Sequence, residues 1–269
     1  MTPNDKTSGL SGFRTFFSNH ASFRLWEGLF YQSGMGHQDF EREYTALRAA
    51  EGRMLPDAMV KALPHLPRQH ALYGEWRVRA RSVKSLSQYL EKKKPRAILE
   101  IGCGNGWLTN FLARQLQVEC CGIDINEVEL KQAVRLFSSN SRVTYVYGDI
   151  ESEAFDACVV DVIVCASVIQ YFANFRSLID RLKQLLNPGG EIHIVDSPIY
   201  NGSDTEAAKA RSEDHFRNSG HPRMASYYHH HTWMSLDDYR YTVLYNPRSL
   251  WGRMKRWMGF SPFPWIVIR

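Results

Sequence analysis

Between residues 13 and 94 the apolar positions recur at spacings of three and four, as in DFEREYTALRAAEGRM and LYGEWRVRARSVKSLSQYLEKKK, which is helical periodicity. Pro56, Pro64 and Pro67 punctuate this region. The pattern predicts an N-terminal helical extension over 1–94 that caps the rest of the chain, its first dozen residues polar and Gly/Ser-rich enough to be disordered. From Pro95 short β-branched runs alternate with helix-length segments, the texture of βαβ units and a parallel sheet. Strands are predicted at 97–101, 119–124, 144–147, 159–166 and 191–196, with helices at 107–115, 127–137 and 175–186. The run Asn187-Pro188-Gly189-Gly190 stops the third of these helices. A polar and aromatic stretch at about 197–234 is too long for an ordinary connection and reads as a lid or insertion. Two last strands, 241–245 and 264–268, close the sheet as an antiparallel pair, so that 95–269 forms one domain.

Composition narrows the classes. With 44% hydrophobic residues in 269, the chain can bury one sizeable core. Thirty-three Lys and Arg against 28 Asp and Glu leave a net charge of +5, too mild to mark a nucleic-acid binder. Cys103, Cys120, Cys121, Cys158 and Cys165 are odd in number, contain no CxxC and sit in apolar runs, which points to reduced thiols and a cytoplasmic protein. Neither a leader-like N-terminus nor a membrane-length apolar run is present in the sequence.

The chemistry concentrates in AILEIGCGNGWLT, residues 97–109. Glycines 102, 104 and 106 follow the first strand of the sheet, where an open α/β fold places its ligand. A dinucleotide loop, G-x-G-x-x-G, would need its third glycine at 107, where Trp107 stands. Glu100 at the loop's mouth would moreover repel a pyrophosphate, since like charges in partly desolvated surroundings cost several kcal/mol. A ligand with a positive centre turns that acid into an asset. S-adenosylmethionine carries both a sulfonium and an α-amino group.

In these residues the chain resembles the class I S-adenosylmethionine-dependent methyltransferases, whose first motif is an acid, one residue, then G-x-G-x-G. Here that motif is Glu100, Ile101, Gly102, Cys103, Gly104, Asn105, Gly106. The resemblance implies a Rossmann-like, seven-stranded, mostly parallel α/β sheet flanked by helices, with S-adenosyl-L-methionine as cofactor. It further implies Asp124, beside Ile125, on the ribose hydroxyls, and Asp149 near the adenine amino group with Ile150 as an apolar wall. Cys165, Ala166 and Ser167 would border the methionine moiety, and Ile169, Gln170 and Tyr171 would face the acceptor. Taken singly, Asp124 also reads as a helix cap and Asp149 as a turn residue. Four such features in order, each ending a predicted strand, form the specific signal.

Methyl transfer is an in-line displacement that needs aligned reactants in a drained site, and a base only where the acceptor must lose a proton. Candidate catalytic groups are His229, His230 and Tyr200; candidate acceptor contacts are Gln170, Tyr171, Asp196 and Tyr228. Consecutive histidines point in different directions, and no second pair at metal-binding spacing accompanies them, so no metal site is expected. Asp196-Ser197-Pro198-Ile199-Tyr200 echoes the D-P-P-Y signature of amino-methylating nucleic-acid enzymes, but it follows the fifth strand where theirs follows the fourth. The basic aromatic segment 248–257 reads either as a membrane-surface helix or as a structural connector of the last strands, and the connector is the expectation. The leading functional expectation is methylation of a small-molecule oxygen or nitrogen. Methylation of RNA or protein, and a non-catalytic S-adenosylmethionine-binding module, are the alternatives; a nicotinamide-dependent reductase is disfavoured by Glu100 and Trp107.

Overall fold

The computed structural model describes residues 12–269. In chain order the N-terminal part comprises α1 (Phe13–Asn19), β1 (Phe23–Trp26), β2 (Leu29–Gln32), α2 (Gln38–Ala50), α3 (Asp57–Ala62) and α4 (Tyr73–Lys93). The central part comprises β3 (Ala97–Ile101), α5 (Trp107–Leu116), β4 (Glu119–Asp124), α6 (Glu127–Phe137), β5 (Val143–Tyr147), β6 (Val160–Ala166), α7 (Phe175–Gln184) and β7 (Leu186–Val195). The chain ends with α8 (Thr205–Asn218), β8 (Tyr241–Tyr245), α9 (Leu250–Trp257) and β9 (Trp265–Ile268). The first dozen residues were expected to be disordered; positions 1–11 lie outside the described residues.

One sheet runs through the molecule in the order β1-β2-β5-β4-β3-β6-β7-β9-β8. From β2 to β7 every neighbour is parallel, and the β1–β2, β7–β9 and β9–β8 pairs are antiparallel. The central strand β3 is buried along its whole length, and its period-two alternation feeds two cores. Leu99 and Ile101 meet Phe175, Leu178 and Ile179 of α7 on one face, while Ile98 meets Leu86, Leu112 and Leu130 of α4, α5 and α6 on the other. A strand covered on both faces reads as a continuous apolar run, which is why β3, β4 and β6 were visible in the sequence.

The fold departs from the expectation at the N-terminal edge, where two further strands make nine instead of seven. The hairpin of β1 and β2 turns at Glu27 and Gly28, both at positive φ (47° and 86°), as a two-residue primed turn requires. β2 then aligns parallel to β5 through Phe30 and Tyr31. Its register buries Phe23, Leu29 and Phe30 but leaves Leu25 and Trp26 exposed, so the stretch lacks the clean alternation that marks a half-buried strand. The Asn187–Gly190 turn is absorbed into β7 as an irregular stretch, with a register shift between Val160 and Val162 of β6. The 197–234 segment folds as α8 flanked by short 3-10 turns, Gly202–Asp204 and Pro222–Tyr227.

Candidate donor and acceptor site

Because β4 and β6 flank β3 on opposite sides, the chain reverses its strand order there, and the crevice beyond the carboxyl ends opens at that point. The loop after β3 lines it. The amides of Gly102 and Cys103 both donate to Ile123 O (2.8 and 3.2 Å), Gly104 N donates to Asp124 Oδ2 at 2.7 Å, and Gly106 caps α5 at φ 71°. The three glycines do different work. A Cβ at 102 would lie 2.2 Å from Val168 Cγ2, and one at 106 would lie 2.6 Å from the Tyr145 ring, so both are demanded by packing. At 104 the nearest atom would be Glu129 Oε2 at 3.4 Å, so here the bare backbone faces the cavity.

Two carboxyls meet at this loop. Glu100, buried at the end of β3, accepts from Thr109 Oγ1, and burial aided by the charge of Asp124 pushes its pKa up to about 8. Asp124 also accepts from Asn126 N at 2.8 Å; burial, then the neighbouring Glu129, raises it to about 7. Buried Asn105 carries an Oδ1 with no hydrogen-bond partner among the described residues. Glu100, Gly104, Asn105 and Asp124 line a small cavity of about 100 Å³. Asp124, Ile101, Ile125, Asp149 and Ile150 line a second, of about 400 Å³. Asp149 is engaged already, with its Oδ2 2.8 Å from His37 Nε2.

A third cavity, about 670 Å³, lies beside the first. Gln170, Tyr171, Asp196, Tyr200 and Tyr228 all line it. Ser167 and Tyr44 border all three cavities, and Arg48, Arg53, Glu75 and Arg79 the first and third. Ser167 and Asp196 both hold positive φ (57° and 52°), and Ser167 Oγ donates to Asp196 O at 2.9 Å. Such left-handed non-glycine residues cost on the order of 1–3 kcal/mol each. The Asp196 carboxyl receives Ser82 Oγ at 2.7 Å and is raised by burial.

Five of the residues singled out from the sequence sit elsewhere than expected, among them Ile169, which was expected to face the acceptor but is fully buried in the core and borders none of these cavities. Gly106 and Cys165 border none of these cavities: the first packs on Tyr145 and Ala133, and the second points into the core with no exposure. His230 places Nε2 3.0 Å from Ser212 Oγ and lines none of them either. His229 faces the cavity of Asp149, away from the acceptor-sized one. The sequence reading anticipated a lid from the N-terminal extension and the 197–234 segment but not the side chains that line it: Tyr44 and Arg48 come from α2, Arg53 from the loop after it, Glu75 and Arg79 from α4, and Arg211 and His215 from α8. Glu129 was missed as well; buried on α6, it binds Arg48 Nη2 at 2.9 Å. Of these residues only Glu75 and Arg79 have the i, i+4 spacing by which a helical sequence could have revealed a pair.

Residues 98–190 match a family described as a methyltransferase domain. The chain is 33% identical over 137 residues to malonyl-[acyl-carrier protein] O-methyltransferase of Halalkalibacterium halodurans, covering 47% of this chain and 51% of that protein. It is 25% identical over 152 residues to the chloroplastic tocopherol O-methyltransferase of Arabidopsis thaliana, covering 55% and 42%. The chain thus spans about half the length of the curated relatives it matches. Two solved structures share the fold. Geranyl diphosphate C-methyltransferase from Streptomyces coelicolor A3(2) has a TM-score of 0.56 at 12% identity, covering 84% of this chain and 96% of that one. The plantazolicin methyltransferase BpumL has a TM-score of 0.53 at 18% identity, covering 86% and 96%.

Proposed function

Residues 98–190 match a methyltransferase domain, and from that premise we propose that the chain transfers the methyl group of S-adenosylmethionine to an oxygen or nitrogen of a small-molecule acceptor. The observation that carries the reading is the junction of cavities at Ser167 and Tyr44. On one side lies a seat with the chemistry of a cationic nucleoside; on the other lies a larger chamber walled by tyrosines and charged groups.

The residues fit the donor. Asn105 Oδ1 is an acceptor without a partner among the described residues, and Glu100, already held by Thr109, is a buried carboxyl without a cation; an ammonium group supplies a donor to the first and a charge to the second. Asp124 stands between the two smaller cavities, where a ribose diol would share its oxygens with the amides of Gly104 and Asn126. Ile101, Ile125 and Ile150 give the flat apolar slot for a base. When bound, the donor supplies an electrophilic methyl group on its sulfonium.

The chain's own part is positioning. Tyr44 and Arg48 of α2, with Trp76 of α4, cover the glycine loop and exclude water, which strengthens every charge contact inside. Arg53 and Arg79 are both bound to Glu75, whereas Arg211 has no ion-pair partner among the described residues and can take an anionic group of the acceptor. Asp196 is the carboxylate on the acceptor wall that receives the proton of a hydroxyl or amine, with Ser82 orienting it.

The test has two arms. Protein melted with S-adenosylmethionine or its demethylated product, each at a hundred times its dissociation constant, should be stabilised by ~2.7 kcal/mol. A shift with NADH alone would reject the donor. Labelled methyl transfer into fractionated cell extract, followed by identification of the product, should yield a small molecule; label only in RNA or protein would reject the acceptor class.

A further inference from the structure

The C-terminal α9 is amphipathic in the wrong sense for a helix that merely joins two strands. At 100° per residue, Leu250, Trp251, Met254, Trp257 and the cap residue Met258 fall within one arc of about 120°. All five are exposed, Trp257 at 92% and Leu250 at 80%. The opposite side of the helix faces the protein. Its buried residue is Gly252, where a Cβ would lie 1.8 Å from Asn246 O, so the helix is pressed onto the chain by its side-chain-free face. A structural connector would turn the tryptophans inward. The segment does join β8 to β9, as expected from the sequence, but the join does not account for an apolar face presented to solvent.

Charge surrounds that face. Arg253 and Lys255 stand at its two borders, with Arg256 behind them, and Lys255 Nζ lies over the rings of Tyr245 and Phe260. From Arg240 to Arg269 the sequence contains six cations and no carboxylate, a formal +6 in a chain whose total is +5; Arg248 and Arg269 are paired with Asp204 and Glu191, while Arg240, Arg253, Lys255 and Arg256 have no carboxylate partner among the described residues. The remainder of the molecule is therefore at −1.

We propose that α9 docks this protein on a bilayer surface bearing anionic headgroups, with Trp251 and Trp257 at the headgroup level and the flanking cations on lipid phosphates. Tryptophan and basic residues around one short apolar arc are the composition of an interfacial helix. A second copy of the chain is the poorer occupant, because a two-fold contact through this face would set its uncompensated cations against their own equivalents. Docking also orients the molecule. Ser261, Pro262 and Phe263, directly after the helix, form part of the wall of the 670 Å³ cavity, and Arg248 just before it binds Asp204 at the start of α8 (2.7 Å). The large cavity thus lies beside the docked surface. The docking itself does not depend on the methyltransferase reading.

The full chain is sedimented with sucrose-loaded vesicles of phosphatidylcholine alone and of phosphatidylcholine with phosphatidylglycerol in a two-to-one ratio. The mixed vesicles should retain the protein, and raised salt should release it. The double variant Trp251→Ser, Trp257→Ser and the charge reversal Arg253→Glu, Lys255→Glu should each lower the bound fraction about tenfold. Circular dichroism and the melting shift with S-adenosylhomocysteine should stay as in the parent, which separates lost docking from lost folding or lost donor binding. Failure of the parent to bind mixed vesicles, or equal binding to both vesicle types, would overturn the proposal. So would a concentration-dependent dimer that the tryptophan variant abolishes without any vesicle binding.

Discussion

Two acids and one glycine decide what the crevice can hold. Gly104 sits at φ 52° with only the Glu129 carboxyl in van der Waals reach of an added Cβ, so Gly104→Val combines a left-handed β-branched residue with a side chain in the donor's place. Donor affinity should fall below detection in calorimetry, while the fold survives with a loss of roughly 1–2 kcal/mol. The acids give a pH signature whose sign follows from their shifts. Glu100 and Asp124 are raised to about 8 and about 7 in the free protein, so as pH falls below this range they take up protons and lose attraction for a cation. A bound sulfonium and ammonium draw both carboxyls down; binding then releases protons, and affinity rises as pH climbs from 6 to 8. Calorimetry in buffers of different ionisation heat should register that release; a pH-independent affinity would contradict it. Glu100, Gly104, Asn105 and Asp124 were legible because a local loop holds them, whereas Cys165 was misplaced because a strand's alternation sent its side chain to the opposite face.

Elements were legible in proportion to their burial. The doubly covered strands announced themselves as apolar runs and α6 as a helix-length segment between two of them; its cap, however, is Asn126, which accepts from Glu129 N, and not the Asp124 that also read as a cap. The β1–β2 edge escaped because exposed Leu25 and Trp26 blur its alternation, leaving Glu27-Gly28 as the only turn signal. The seat of α2 on α6 escaped for another reason, since it depends on a pairing between residues 81 positions apart. There Arg48, which also lies over the Tyr44 ring, is paired with Glu129, which is 3% exposed. Arg48→Ala would strand that carboxylate in the core, for which a loss of about 3 kcal/mol is expected in denaturant unfolding. Adding Glu129→Gln to the same chain should recover part of the loss, because the charge left behind accounts for much of the cost. Equal stability of the single and double variants would show that the pair does not hold α2.

At the scale of the molecule the site is assembled from three stretches of chain: the N-terminal part, the sheet and the segment after β7. Leu47 of α2, Phe216 of α8 and Met224 form a small apolar cluster of their own, joined by Phe40, Tyr44, Tyr171 and Tyr227. Polar contacts repeat the link, with His215 of α8 hydrogen-bonded to Glu51 at 2.8 Å and Arg223 3.7 Å from Glu43. This lid is thin beside the two large cores under the sheet, so it should open as a unit at lower free energy than the strands. In hydrogen exchange, amides of α2 and α8 should therefore exchange together and well before those of β3, β4 and β6. Donor seated against Tyr44 should slow both helices and leave the strands unchanged, since a ligand stabilises only the openings that release it. Leu47→Ala, by removing the centre of the cluster, should speed exchange in both helices by an equal factor, with a cost of about 2–3 kcal/mol confined to the lid. If α8 kept its protection in that variant, the two helices would be independent covers, and the division of the chain at residue 94 that we propose would then mark separate mobile parts rather than the two halves of one closure.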